Sequence, residues 1–193
     1  MFTISGQDHI DPYQTGDPNP VPEALAMRLL FDERQPLIVI DFHHQGSYVD
    51  PEGDLITGST LWPNATSTAV ALGKLDLFEP AVELAKQVVA VMVTELDSYR
   101  YANITRYPGA TTPGIARNAY GLLGAGSVLF EMRGGIGVKS NGYITQTAYN
   151  AAKAVIVALA DGSLFDADIA IADALPDHGP GIGAPNEDEE HTE

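Results

Sequence analysis

The sequence predicts an α/β fold in which a mixed, mostly parallel sheet is covered by helices. Two short apolar runs, residues 37–42 and 126–132, are rich in strand-forming residues and bounded by turn residues, which is typical of buried strands. Amphipathic stretches with helical spacing cover residues 21–34, 79–101 and 142–161. A helix joined by a short turn to a fully apolar strand is the unit from which doubly covered α/β sheets are built.

The composition indicates one globular domain. The chain has 193 residues, of which 45% are hydrophobic and 19% charged, so it is long enough to bury a sizeable core. The sequence has no apolar run long enough to span a bilayer, and its first residues show no basic region followed by an apolar segment. Cysteine is absent, which excludes disulfides and a cysteine nucleophile and leaves the compartment open.

The chain is strongly acidic. Its formal net charge is −16, with ten Lys and Arg residues against 26 Asp and Glu residues. A negative field of this size opposes binding to nucleic acid or to an anionic membrane surface. We therefore expect neither partner, and solubility is the simplest reason for the charge.

The first part of the chain is an arm, a helix, a strand and a long connection. Residues 1–20 are polar and rich in turn residues, which predicts an irregular N-terminal arm. The helix at 21–34 has proline and an acid in its first turn and ends at Gln35-Pro36. Residues 44–77 predict a long irregular loop. The loop leaves from the end of the first strand, where a substrate-facing loop is expected. The alternative is an ordinary surface loop.

The middle of the chain combines a clear helix with shorter segments. After the helix at 79–101, residues 103–106 predict a short edge strand. Residues 107–114 form a small proline- and glycine-rich loop with Tyr107 at its head. Residues 115–124 are ambiguous, since a short helix or turn suits them as well as a strand.

The last part of the chain ends in an acidic segment. Asn141 is placed to cap the helix at 142–161, and Gly162 ends it. Residues 163–176 are amphipathic, and we expect them to dock as a last extended segment. Residues 177–193 are mostly glycine, proline and acids, which predicts a disordered acidic tail.

The end of the first strand places an acid and a histidine on one side. In a strand, residues 41 and 43 point to the same face, so Asp41 and His43 are neighbours, whereas His44 points to the opposite face. Imidazole is a common metal ligand, and a nearby carboxylate orients it through its second nitrogen. The alternative is a structural histidine bonded to the backbone.

The second strand ends in Glu131. A carboxylate that closes an apolar strand needs a partner or a function, because burying it unpaired is costly. Beside a metal-bound water it would act as a general base, and the alternative is an ion pair with Arg133. Since ligands bind outside the carboxyl ends of the strands, we expect His43 and Glu131 at one rim. Tyr107 either covers a substrate there or anchors its own loop.

The two strand ends together resemble the zinc carboxypeptidases, the metallocarboxypeptidase family. The matching segments are Ile40–Gly46 and Ser127–Gly134, and the first resembles the bacterial branch with an Asp-x-His-His-Gln-Gly strand end. The resemblance extends from about residue 22 to about residue 175, with the elements in the same order. It implies that residues 21–176 are the C-terminal part of a carboxypeptidase-like catalytic domain, a partial form of that fold.

The resemblance implies roles by position. His43 resembles the third zinc ligand, and Glu131 resembles the glutamate that activates the zinc-bound water. Tyr107 resembles the mobile tyrosine that closes over the C-terminal residue of a peptide or protein substrate. Ile115 and its neighbours resemble the lining of the specificity pocket, and an apolar residue there argues weakly against a preference for basic residues.

The chain departs from the family in its upstream half. It has no His-x-x-Glu for the first two zinc ligands, no upstream carbonyl-polarising arginine, and no Asn-Arg pair near residues 6–9 for the substrate carboxylate. We therefore expect zinc-dependent removal of C-terminal residues by resemblance, and an inactive or nearly inactive chain by itself. The chain would be a fragment with a missing N-terminal half as partner, a mis-started reading frame or a degenerate paralogue.

Two other functions remain open. One is a related metal-dependent deacylase that acts on acylated amino acids. The other is a peptide-binding pseudoenzyme that keeps the fold without the chemistry.

Overall fold

The protein is an α/β structure in which a four-stranded mixed sheet is flanked by helices, so the predicted fold class is confirmed. The computed structural model describes residues 22–99, 102–134 and 140–182, and the predicted arm at 1–20 lies outside these. In chain order the elements are α1 (Pro22–Arg34), β1 (Ile38–Gln45), β2 (Gly58–Leu61), α2 (Thr66–Ala71), α3 (Leu75–Asp97), β3 (Ile104–Arg106), α4 (Ala116–Leu122), β4 (Gly126–Arg133), α5 (Ser140–Asp161), a 3₁₀ turn (Ser163–Asp166) and α6 (Ala170–Asp173).

The sheet has the strand order β1-β4-β2-β3. β1 pairs with β4 and β2 pairs with β3 in parallel, while β2 and β4 are antiparallel. The register sets His43 of β1 opposite Glu131 of β4, and it sets Ser59 of β2 on the other side of Glu131. The predicted rim pairing of the two strand ends is therefore present as directly opposed residues.

Two local predictions were wrong, and one left open between helix, turn and strand is decided as a helix. The supposed loop at 44–77 contains the helix α2 and the strand β2, and every residue of β2 is buried between β4 and β3. The sequence Gly-Ser-Thr-Leu of β2 has no apolar run, so only its tertiary position makes it a strand. Residues 163–176 form the 3₁₀ turn and α6 rather than an extended segment. The ambiguous residues 115–124 contain the helix α4.

The strand β1 is an edge strand. We predicted a buried strand, but seven of its eight residues are half-buried and His44 is exposed. Within the described ranges, no strand pairs with its outer edge. Because β1 is covered on its β4 side only, His43 and Asp41 keep access to solvent.

The two faces of the sheet are covered differently. One face packs against α3 and α5 and forms the main core, in which Phe130 of β4 and Val88 of α3 are fully buried. On the other face, α1 and α4 cover only the first part of β1 and β4, where Phe31 and Tyr120 stack with ring centroids 4.9 Å apart. The second face therefore becomes polar toward the carboxyl ends of the two strands.

The chain beyond α6 returns to the sheet. Asp177 pairs with Arg106 at 2.8 Å between Oδ1 and Nε, and Gly181 forms an isolated bridge with Tyr48. The packed part of the chain thus extends to residue 182, and the rest of the predicted tail lies outside the described residues. Among the described residues, no helix is both long and apolar enough to cross a membrane.

The close pairing of β2 with β4 makes a prediction for Gly58. A β-carbon at Gly58 would lie 2.6 Å from the backbone carbonyl oxygen of Glu131. We expect Gly58→Ala to lower the free energy of unfolding by about 1–3 kcal/mol, measured by urea denaturation. The matched control is Gly142→Ala in α5, where a β-carbon meets nothing within 4 Å and helix propensity rises by up to about 1 kcal/mol. A Gly58→Ala chain as stable as wild type would contradict the strand pairing.

Candidate functional site

The site is built on Asp41, His43 and Glu131, which strand alternation and register place on one face. The Nε2 atom of His43 lies 2.9 Å from Oδ1 of Asp41, and its Nδ1 atom lies 3.8 Å from Oε1 of Glu131. An ionised carboxylate only accepts hydrogen bonds, so Asp41 selects the ring form with the proton on Nε2. Asp41 therefore orients the imidazole, and Nδ1 faces Glu131.

Glu131 has the environment of an acid–base group. The residue is only 9% exposed, and burial raises the pKa of its carboxyl. His43 and His44 lower this pKa, while the charge of Asp41 raises it further. The structure shows no ion pair between Glu131 and Arg133, which was the alternative partner. A buried carboxyl with a raised pKa beside an oriented imidazole is suited to take and return protons.

A row of polar side chains from β1, β2 and β3 extends the site across the sheet. Nε2 of Gln45 donates to Oγ of Ser59 at 2.8 Å and to the backbone carbonyl of Glu131 at 3.4 Å. Oε1 of Gln45 and Oγ1 of Thr105 are buried and have no hydrogen-bond partner within the part of the chain that the structure describes. Sequence reasoning missed Ser59 because it lies in a segment that was assigned to a loop.

Tyr107 lies on the same side of the sheet. Its backbone N–H donates to the carbonyl of Thr60 at 2.9 Å, which continues β3 beyond its last residue. Burial raises the pKa of Tyr107, and the charge of Glu131 raises it further, so the two side chains are within electrostatic reach. Its ring packs edge-on against His178 with centroids 5.9 Å apart, and His178 packs on Tyr48 at 4.5 Å. Tyr107 therefore lies within electrostatic reach of Glu131 and in ring contact with His178.

His178 was missed because the sequence assigned it to the acidic tail. Its position between two tyrosines depends on the return of the chain after α6, which no local pattern reveals. Nδ1 of His178 lies 2.9 Å from the carbonyl oxygen of Gly179.

The loop at 107–114 is anchored by amide side chains. Nδ2 of Asn64 donates to the carbonyl of Gly109 at 3.1 Å, and Nδ2 of Asn118 donates to the carbonyl of Thr112 at 3.0 Å. The two asparagines are joined, since the backbone N–H of Asn64 donates to Oδ1 of Asn118 at 2.8 Å. The loop that holds Tyr107 is therefore tied to α4 and to the segment after β2.

Arg117 of α4 lies beneath the same loop. The residue is only 2% exposed, and its Nη2 donates to the carbonyl of Ala110 and to Oδ1 of Asn64, the latter at 3.3 Å. Burial lowers the pKa of Arg117 to about 10, and the neighbouring Tyr107 opposes this change. Sequence reasoning did not single out Arg117, because the segment that contains it was ambiguous between helix and strand.

The comparisons with known proteins add no family. No protein-family model, no curated protein and no solved structure matches this chain.

The capacity of the site for a metal is limited. Among residues 22–99, 102–134 and 140–182, no group of three His, Asp or Glu side chains is placed to hold a metal ion. His43 and Glu131 are side chains of types that can ligate metals, while Asp41 lies at the other ring nitrogen of His43.

The raised pKa of Glu131 makes stability depend on pH in a defined direction. Above the folded-state pKa, the native chain holds the buried charge of Glu131, which lowers the free energy of unfolding. Below the unfolded-state pKa, Glu131 is protonated in both states, and this destabilisation is absent. We expect Glu131→Gln to raise the thermal midpoint at pH 7 by roughly 2–4 °C, and the gain to disappear as the pH falls below about 4. Scanning calorimetry across this pH range measures the difference.

The control for this experiment is Glu83→Gln, on the exposed face of α3. We expect it to change stability by less than about 0.5 kcal/mol at either pH. A Glu131→Gln chain that is less stable than wild type at pH 7 would show that Glu131 is a paired structural residue.

Proposed function

We propose that His43, Glu131 and Tyr107 form part of the active site of a zinc-dependent metallocarboxypeptidase, which hydrolyses C-terminal peptide bonds. The observation that supports this proposal is the 3.8 Å approach of His43 Nδ1 to Glu131 Oε1, with Asp41 holding the other ring nitrogen. An oriented imidazole and a general base side by side are what a hydrolytic metal site needs. The Asp-x-His and Phe-Glu strand ends agree with the same family.

The described residues do not form a complete zinc site. Catalytic zinc usually takes three protein ligands and leaves one position open. His43 would supply one such ligand with Glu131 beside it, and within the described ranges no third side chain is placed to bind the same metal. We propose that the remaining ligands come from outside the described residues and that the isolated chain turns over slowly or not at all.

The roles of the side chains follow from their positions. Zinc, when bound, supplies a Lewis acid that activates water and polarises the scissile carbonyl. Glu131 accepts a proton from the attacking water and returns it to the leaving amine, a task that its raised pKa favours. Asp41 keeps the His43 ring in one orientation, and Tyr107 contacts the substrate from the loop above Glu131.

The reaction is tested by incubating the chain with excess Zn²⁺ and a peptide that has a free C-terminus. We expect slow release of the C-terminal residue, detected by mass spectrometry, because the ligand set is incomplete. Glu131→Gln should reduce this release by about 10²- to 10⁴-fold, the usual contribution of a general base. Glu83→Gln is the matched control, because Glu83 is an exposed carboxylate of α3, and we expect it to leave the release unchanged.

The other outcomes distinguish the rival functions. Release of the acyl group from N-acyl amino acids, with peptides left intact, would establish a deacylase. Peptide binding of equal strength in wild type and Glu131→Gln, without hydrolysis in either, would establish a binding protein. Rapid turnover with stoichiometric zinc would show that this chain holds a complete site, which contradicts the partial site proposed.

A further inference from the structure

A groove of about 510 Å³ lies between α3 and α5 and is bordered by the segment 163–171. Small apolar side chains line its deeper part, where Ala90 of α3 and Ala158 of α5 are buried. Val157 and Ile171 line it nearer the surface and are 52% and 37% exposed. An apolar groove of this volume has the size of a small-molecule site.

The direction of the groove follows from a contact at one end. Nε2 of Gln87 in α3 donates to the carbonyl of Phe165, just after α5, at 2.8 Å. The C-terminal end of α5 therefore lies toward Gln87, and the other end of the groove lies toward residue 95. The groove follows residues 90–95 of α3 and 153–161 of α5, which gives it a length of about 12 Å at the helical rise per residue.

Two aspartates line the groove at the C-terminal end of α5. Asp161 is the last residue of α5, and Asp168 lies between the 3₁₀ turn and α6. Each accepts a backbone N–H through Oδ1 at 2.9 Å, Asp161 from Ser163 and Asp168 from Ala170. Hydrogen bonds from the side chain and the backbone of Ser163 lower the pKa of the Asp161 carboxyl. Neither aspartate forms an ion pair with another described residue.

The opposite end of the groove is balanced in charge. Glu95 of α3 and Lys153 of α5 line it, and their formal charges cancel. A cation that enters the groove is therefore drawn toward the two aspartates. The net charge of −16 on the whole chain attracts cations and repels anions in the same sense.

We propose that this groove binds a small amphipathic amine. The alkyl chain of the ligand lies along α3 and α5, and its ammonium group lies beside Asp161 and Asp168. Burial of the alkyl chain supplies the affinity, while the two carboxylates fix the orientation. The site is separate from His43 and Glu131, because α3 and α5 cover the other face of the sheet. The inference therefore does not depend on the proposed reaction.

The test is an amide NMR titration of the chain with octylamine, butylamine and octanoate. We expect octylamine to shift the amides of residues 90–95 and 153–161, which line the groove. It should bind about 10- to 100-fold more tightly than butylamine, because more of its methylene groups are buried. It should also bind about 10-fold more tightly than octanoate, because the carboxylate of octanoate is repelled by the aspartates.

The charge is tested by the double variant Asp161→Asn, Asp168→Asn. Each asparagine keeps an oxygen that accepts the backbone N–H and loses the negative charge. We expect octylamine to bind about 3- to 10-fold more weakly. The matched control is Asp97→Asn with Asp166→Asn, two exposed acids that do not line the groove, and it should change the affinity by less than about 2-fold.

The space is tested by Ala154→Leu, which places a larger side chain in the groove. We expect it to weaken octylamine binding by more than about 10-fold. Ala160→Leu is the matched control, because Ala160 is exposed on α5 and does not line the groove. Thermal midpoints show whether each variant folds, and the asparagine pair decides the question if Ala154→Leu does not fold.

Several results would overturn the inference. Octylamine that fails to bind, or that shifts amides away from the groove, would exclude the site. Equal binding of octanoate, or equal weakening by the control pair of asparagines, would show that the two aspartates do not recognise the ligand. Self-association in sedimentation that Ala154→Leu abolishes would show that a second copy of the chain occupies the groove. Glu131→Gln should leave octylamine binding unchanged, so failure of the proposed reaction does not affect this result.

Discussion

The parallel pairing of β1 with β4 is the constraint on which the site depends. Each residue of Ile38–Gln45 has one partner in Gly126–Arg133, and this register puts His43 directly beside Glu131. Because side chains alternate between the faces of a sheet, a slip of one residue would set Met132 opposite His43 and move Glu131 to the other face. The buried face fixes the register, since Phe42 packs edge-on against Phe130 with centroids 5.9 Å apart.

The two faces of the sheet differ in polarity: one buries the main apolar core, and the other holds buried ionisable side chains. The side that packs on α3 and α5 buries a continuous apolar cluster. The opposite side, at the carboxyl ends of β1 and β4, holds Glu131 with a raised pKa and lies near the buried cation of Arg117. Buried atoms without a hydrogen-bond partner among the described residues include Nε of Arg117, Oε1 of Gln45 and Oγ1 of Thr105, so polar groups are incompletely satisfied around this side.

The sequence identified the parts of the site that lie at the ends of apolar runs. Asp41, His43 and Glu131 follow runs that already indicate strands, so their shared rim follows from general rules of α/β sheets. β2 could not be found in this way, because Gly-Ser-Thr-Leu becomes a strand only through pairing with β4. Arg117 and His178 were missed for a related reason. Arg117 donates to a backbone carbonyl and to the distant Asn64. His178 packs against Tyr48 and Tyr107, which are far from it in sequence. The asparagine contacts that anchor the Tyr107 loop span 45 to 54 residues in the case of Asn64.

The pairing of His43 with Glu131 is tested most directly by nitrogen-15 NMR of the histidine rings during a titration with Zn²⁺. The contact with Asp41 predicts that the singly protonated His43 ring carries its proton on Nε2. The proposed site predicts that Zn²⁺ shifts the Nδ1 resonance of His43. The same titration in Glu131→Gln should show weaker binding, and His44 in the same spectrum is the internal control. A proton on Nδ1 of His43, or Zn²⁺ shifts at other histidines with His43 unchanged, would contradict a metal site at this rim.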